Sequence, residues 1–418
     1  MKIHRMQKAF IAFMTFLFSM QISYAHDLWV ISTKDDNFAE YEIPSDPNDK
    51  SNLEKFIKYQ KTALVSLEQA AAEYLSILGL EYKVSRKFEH LGILALEIID
   101  PEYSDSDEDS NDGNNEDNND NSVNTILNKA KTITPPPFHI YKNRKLSLNF
   151  IKHENDSYMQ KNKSNEFRNN FITNFSKAGE NTNIFILDTG INSSHKEFLG
   201  HNIYLQKGIE TNDAHGHGTH VAGTATGNRV GFATKSNLYV SKVLNDEGYG
   251  DDISVYDGLD WVVEKCSEAS GHCILSMSLG GGKQDLENKV MNNLDRLGVL
   301  VVVAAGNESD DSCYYSPSSA SGAFSVTSAN VFQNNLSYFS NYGSCVNIAA
   351  DGEYVISAWH DRDNSYKAIS GTSMATPTIA GISALVWSEY PNIMNQELKW
   401  YLVSMANNWI LGYPFVNI

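Results

Sequence analysis

The chain has 418 residues, 41% of them hydrophobic, which is enough for one large domain and a smaller one. A formal net charge of −18 argues against nucleic acid and anionic membrane surfaces as partners. That charge is uneven: ten carboxylates and no Lys or Arg lie between Asp100 and Asp120, so the rest of the chain is only mildly acidic.

In chain order, residues 1–25 read as a signal peptide. Lys2, Arg5 and Lys8 form a basic start, an apolar run follows from Ala9 to Met20, and Ser23 and Ala25 give the small-x-small pattern of a cleavage site before His26. This predicts entry into the secretory pathway and no membrane attachment once the signal is cut. The final location would be extracellular, the cell wall or a vacuole lumen. Residues 26–103 begin with the strand-like DLWVIST, continue with the helical stretch LEKFIKYQKTALVSLEQAAAEYLSIL and close with the strand-like LGILALEII, which together read as a small α+β domain. Residues 104–135 are acidic and Asn-rich with few apolar side chains, so a disordered linker within reach of a protease is expected.

From residue 136 to 418 short apolar runs alternate with helical stretches. NIFIL ends at Asp188, NLYVSKVL near Asn245, CILSMSL at Gly280 and VLVVVAAG at Asn307, with AFSVTSA and VNIAA beyond. Continuous apolar strands between helices predict an α/β fold whose parallel sheet is covered on both faces. Ligands in such sheets bind at the carboxyl ends of strands, where Asp188 and Asn307 stand. The four cysteines, in an oxidising lumen, predict two disulfides. Three pairings are open; the short spacing favours Cys266 with Cys273, leaving Cys313 with Cys345. Glycosylation sequons occur at Asn155, Asn162, Asn174, Asn192, Asn307 and Asn335.

Asp188, His217 and Ser373 each have an ordinary reading alone: a turn former, a histidine between glycines, a helix N-cap. Pro377 is expected within the first turn of the helix that Ser373 opens, where amides lack partners. Together, an Asp, a His and a Ser in that order, each beside glycine and each at an element end, form one of the chain orders of the acyl-transfer triad.

The strings ILDTGIN with His195 behind it, HGHGTHVAGT, SMSLGGG, VVAAGN and SGTSMATP resemble the subtilisin-like serine proteases over roughly residues 180–390. Within that family the chain is most similar to the proteinase K and cerevisin branch, through NESDDSCYYSPSSA and YFSNYGSCVNIAADG. The resemblance implies a serine endopeptidase acting on polypeptides, with Ser373 as nucleophile, His217 as base, Asp188 as its orienting partner and the Asn307 amide as oxyanion donor. His220 is expected to make a structural hydrogen bond and His215 to face the cleft rim or solvent. Because Asn307 heads a sequon, a working site requires it to be unglycosylated. An extended substrate would pair with Ser278-Leu279-Gly280 on one side and Gly248-Tyr249-Gly250 on the other. The 26–103 unit would be an inhibitory propeptide, removed by the enzyme itself between about 104 and 140, and the mature protein a monomer. No cofactor is implied and no metal residue is assigned. Structural calcium is left open, since Asn347 stands where some relatives offer an aspartate and the usual Ala-Pro-Gly reads Ala350-Asp351-Gly352. Two other readings compete: a silent member of the fold with a structural role in cell-wall assembly, and an esterase. The α/β-hydrolase pattern G-x-S-x-G is absent at Gly371-Thr372-Ser373-Met374-Ala375.

Overall fold

The computed structural model describes residues 28–34, 50–99, 127, 136–148, 168, 171–331, 333–406 and 408–415. The expected signal peptide and, apart from Leu127, the acidic linker lie outside the described residues.

The N-terminal unit consists of β1 (Leu28–Thr33), α1 (Ser51–Ile77), β2 (Glu81–Phe88), β3 (Ile93–Ile99) and β4 (Phe138–Lys142). The strands form an antiparallel sheet in the order β2-β3-β1-β4. Helix α1 lays Leu53, Phe56, Leu64, Leu67, Ala71, Tyr74 and Leu75 against it, the three-to-four spacing of one helix face. Strand β4 corrects the expected boundary at residue 136. It pairs with β1, Ile140 opposite Ile31, and buries Phe138 edge-on against Tyr74 at 5.6 Å. Its side chains complete the small core, so the chain beyond the linker first returns to the N-terminal sheet.

The large unit runs through β5 (Lys145–Leu148), β6 (Thr182–Asp188), β7 (Ile203–Leu205), α2 (His217–Thr226), β8 (Asn237–Lys242), β9 (Tyr249–Asp251) and α3 (Asp252–Glu268). It continues through β10 (His272–Met277), β11 (Leu279–Gly282), α4 (Asp285–Arg296), β12 (Val299–Ala304), β13 (Tyr315–Ser316), β14 (Ala323–Asn330), β15 (Asn335–Leu336) and β16 (Ile348–Asp351). The last elements are β17 (Val355–Ala358), β18 (Tyr366–Ile369), α5 (Thr372–Glu389), α6 (Asn395–Met405), β19 (Asn408–Ile410) and β20 (Tyr413–Phe415). The main sheet has the order β19-β20-β16-β14-β12-β10-β6-β8-β7 and is parallel from β20 to β7. Alternate residues serve opposite faces. Ile184 and Ile186 pack toward α2 and α5, and Phe185 and Leu187 toward α3 and α4. Every residue of α5 from Thr372 to Ser388 is buried, which explains a helix apolar all round rather than on one stripe.

The two units meet on α3. The Asp260 carboxylate accepts the backbone N–H of His90 at 2.6 Å and of Leu91 at 3.1 Å, and Arg86 forks onto Asp257 at 2.7 and 2.6 Å. Phe88 meets Tyr256 edge-on at 5.9 Å. A second junction is a four-stranded sheet, β13-β11-β5-β9, in which β5 lies between two strands of the large unit. The disulfides are Cys266–Cys273 and Cys313–Cys345.

Candidate active site

Three element ends converge on one side of the main sheet. Asp188 is the last residue of β6, His217 opens α2, and Ser373 is the second residue of α5. All three are fully buried. His217 Nδ1 lies 2.8 Å from Asp188 Oδ1 and 2.9 Å from Oδ2. That contact holds the ring proton on Nδ1 and makes Nε2 the basic nitrogen. Close backbone approach makes the pairing feasible: a Cβ on Gly218 would stand 2.2 Å from the Gly190 carbonyl.

Asp213 organises this corner. Its Oδ1 accepts Thr189 Oγ1 at 2.9 Å and the backbone N–H groups of His215 and Gly216 at 3.0 and 2.7 Å. Its Oδ2 accepts Thr219 N at 2.9 Å and Thr219 Oγ1 at 2.6 Å. One buried carboxylate therefore fixes the loop before His217, the first turn of α2 and the Thr189 side chain after Asp188. The sequence analysis assigned it no role. Its signal was an Asp with a Gly three residues on, the pattern of a type I turn.

The other two histidines of the motif are structural. His220 Nε2 donates to the carbonyls of Val355 at 3.0 Å and Lys367 at 3.1 Å, tying α2 to the β17–β18 hairpin. Complete burial, reinforced by the neighbouring His217, holds its pKa down at about 3, so it stays neutral. His215 sits partly buried at the cleft edge, its Nδ1 accepting the His217 N–H at 3.3 Å.

The Ser373 hydroxyl donates to the Ser278 carbonyl at 2.9 Å, and the Ser278 hydroxyl donates back to the Ser373 carbonyl at 2.9 Å. The second bond depends on Pro377. This proline is the sixth residue of α5, not part of the first turn as expected. With no N–H of its own, it leaves the Ser373 carbonyl, four residues before it, without a helical donor, and Ser278 takes that place. Asn307 Oδ1 accepts Thr372 N and Thr372 Oγ1, both at 3.0 Å. The other end of the amide, Nδ2, is buried without a partner among the described residues. A donor thus stands next to Ser373, beside the first amides and positive dipole end of α5.

The two segments expected to bind substrate flank β5. Leu279 and Gly280 stand opposite Leu148 and Ser147, and Tyr249 and Gly250 opposite Ser147 and Leu146. Gly248 approaches Leu148 closely: a Cβ there would come within 2.6 Å of Leu148 Cδ1 and 3.4 Å of His215 Nε2. Leu146 is buried. Ser278, next to Leu279, is the residue that holds Ser373. The sequence analysis assigned residues 145–148 no role, yet as β5 they lie between the two segments expected to bind substrate. Among the described residues no group of three or more His, Cys, Asp or Glu is arranged to hold a metal ion, and no helix is long and apolar enough to cross a membrane.

Comparison with known proteins gives this parallel-sheet frame its family. The model of the subtilase family (peptidase S8) matches residues 179–414. The chain belongs to the subtilase family. It is 38% identical over 243 residues to alkaline serine exoprotease A of Vibrio alginolyticus, a match covering 57% of this chain and 44% of that protein. It is 42% identical over 215 residues to alkaline protease 1 of Aspergillus flavus, covering 50% and 53% of the two chains. A crystal structure of a cold adapted subtilisin-like serine proteinase superposes with a TM-score of 0.54 at 35% identity, covering 58% of this chain and 90% of that one. The chain spans about half the length of the curated relatives it matches.

Proposed function

We propose that this chain is the self-processed precursor of a serine endopeptidase of the secretory pathway. The observation that carries the enzymatic reading is the Asn307 amide. Its oxygen is tied to Thr372, and its buried N–H₂ lacks a partner beside a serine nucleophile. A purely structural relative has no use for that arrangement, which leaves a buried donor unpaired at a cost of about 1–3 kcal/mol.

The reaction follows from the residues present. A substrate enters as a strand between β11 and β9, with its scissile carbonyl beside Ser373. The Ser373 hydroxyl turns from the Ser278 carbonyl toward His217 Nε2, which takes its proton as Oγ attacks the carbonyl carbon. Asp188 stabilises the resulting imidazolium. The oxyanion is met by Asn307 Nδ2–H and the Ser373 backbone N–H. His217 then returns the proton to the leaving amine, and water, activated in the same way, hydrolyses the acyl-enzyme.

The precursor reading rests on β5. Residues 145–148 occupy the cleft as a substrate would, and they follow directly on the N-terminal sheet. By antiparallel register Leu148 faces Leu279, the residue after Ser278, whose carbonyl holds the Ser373 hydroxyl. We therefore move the maturation cut from the expected interval of about 104–140 to the first few bonds after Leu148. The N-terminal unit then acts as an intramolecular inhibitor until it is released, and secretion to an extracellular, cell-wall or vacuolar location accords with the N-terminal residues. No cofactor enters any step. Asn307 is expected to be unglycosylated, because Nδ2, the atom that would carry the sugar, is buried beside Ser373.

The test is labelling by a fluorophosphonate together with hydrolysis of a denatured protein. Wild type should show both, and Ser373→Ala neither. Wild type that folds but neither labels nor hydrolyses would favour the cell-wall scaffold reading.

A further inference from the structure

Arg144, two residues before Leu146, enters a pocket built by the large unit. Its Nε donates to Asp252 Oδ1 at 3.0 Å and its backbone N–H to Asp252 Oδ2 at 2.8 Å. The two Nη groups reach Glu287 Oε2 and the Gly282 carbonyl. Asp252 and Glu287 are 2% and 1% exposed, at the N-terminal ends of α3 and α4. Two buried oxygens beside the guanidinium, Glu287 Oε1 and the Tyr256 hydroxyl, have no partner among the described residues. The segment also caps α3: Asn143 Oδ1 accepts Ile253 N at 3.3 Å and the Arg144 carbonyl accepts Asp252 N at 3.1 Å.

Asp252, Glu287 and the Gly282 carbonyl stay with the large unit when the N-terminal unit leaves. Departure of residues 143–148 removes one positive charge and leaves two buried carboxylates facing each other, a state that strongly favours refilling by a cation. The opening is continuous with the cleft, because Lys145 pairs with Asp251 in the same register that pairs Leu146 with Gly250. Any peptide adding as a strand between β11 and β9 carries the residue four before its Leu148 equivalent to this opening. Planar, multidentate recognition by two carboxylates and a carbonyl suits a guanidinium and not a compact ammonium.

We propose that Asp252, Glu287 and the Gly282 carbonyl form an arginine-binding subsite, occupied by Arg144 in the precursor and available in the mature enzyme to an arginine four residues before the position of Leu148 in extended peptide substrates. The inference rests on the endopeptidase reading and on β5 marking the substrate path. It adds a specificity determinant remote from the scissile bond.

The experiment uses mature enzyme and synthetic quenched-fluorescent peptides spanning residues 142–153, KNRKLSLNFIKH, with Arg, Lys or Gln at position 144. The Arg peptide should exceed the Gln peptide in kcat/KM by about tenfold or more, as loss of charged hydrogen bonds implies, with Lys between them. Glu287→Gln should shrink the Arg-to-Gln ratio toward one. Equal cleavage of the Arg and Gln peptides by wild type overturns the subsite, and this comparison needs no variant to fold. Hydrolysis of a denatured protein without cleavage of either peptide overturns it too. An enzyme that cuts neither peptide nor protein sinks the endopeptidase reading itself, and the subsite with it.

Discussion

Among the described residues, Asn307 is held by one end of its amide only. Thr372 takes the oxygen through its backbone and its hydroxyl, so the nitrogen is fixed in direction before any substrate arrives. Such preorganisation acts in the transition state, when the carbonyl oxygen acquires charge, and little in the ground state. Asn307→Ala should lower kcat by about 10²–10³ with KM little changed, the effect measured for the corresponding donor of subtilisin; steady-state kinetics on one peptide would check it, and a loss confined to KM would remove Asn307 from the role. His220 gives a second prediction at this scale. Its folded pKa of about 3 lies below the 6.5 of the free side chain. The unfolded chain therefore binds more protons in that window. The contribution is fully present above pH 6.5 and is lost as pH falls toward 3, by up to about 1.4 kcal/mol per pH unit. In the Ser373→Ala background, which keeps the chain intact, the Tm difference between the His220 protein and its His220→Gln variant should change with pH across 7 to 4. A constant difference would show that His220 does not titrate as its burial dictates.

The elements show where the sequence was legible and where it was not. Strands β6, β10 and β12, which end at Asp188, Met277 and Ala304, and the helices between them could be read, because both sheet faces are covered and the apolar runs are correspondingly continuous. The approach of Asp188 to His217, 2.8 Å apart, was legible because glycines and chain order mark it. Strand β5 could not: KLSL is four residues with two leucines, and its meaning comes from partners more than 100 positions away, Gly250 and Leu279. Strand β4 was hidden in the same way by the linker that separates it from β1. Asp213, Ser278 and Thr372 act through hydrogen bonds to backbone and neighbours that no periodicity records, and Pro377 was placed a turn too early. Since Leu146 is the buried anchor of β5, Leu146→Ala should loosen the strand in the cleft and slow conversion of the precursor by about 30- to 150-fold, given a burial loss of about 2–3 kcal/mol. Precursor half-life by gel densitometry would check this. An unchanged half-life would mean that β5 does not present the bond that is cut.

At the scale of the whole molecule, the N-terminal unit is attached at two places with different chemistry. On α3 it is held by Asp257 and Asp260, and at the cleft by β5 and Arg144. Cutting after Leu148 frees the end that lies in the cleft while the α3 contacts persist, so release becomes a separate step from cleavage. The central claim, that this chain is cut by its own Ser373 at the end of the strand that fills its cleft, is tested most directly by N-terminal sequencing and intact mass of wild type and Ser373→Ala expressed in one secretory host and deglycosylated. The account predicts a wild-type product beginning within a few residues after Leu148, and a Ser373→Ala protein that keeps the whole N-terminal unit through β5. Identical trimming of both proteins, or a wild-type start between residues 104 and 140, would contradict it.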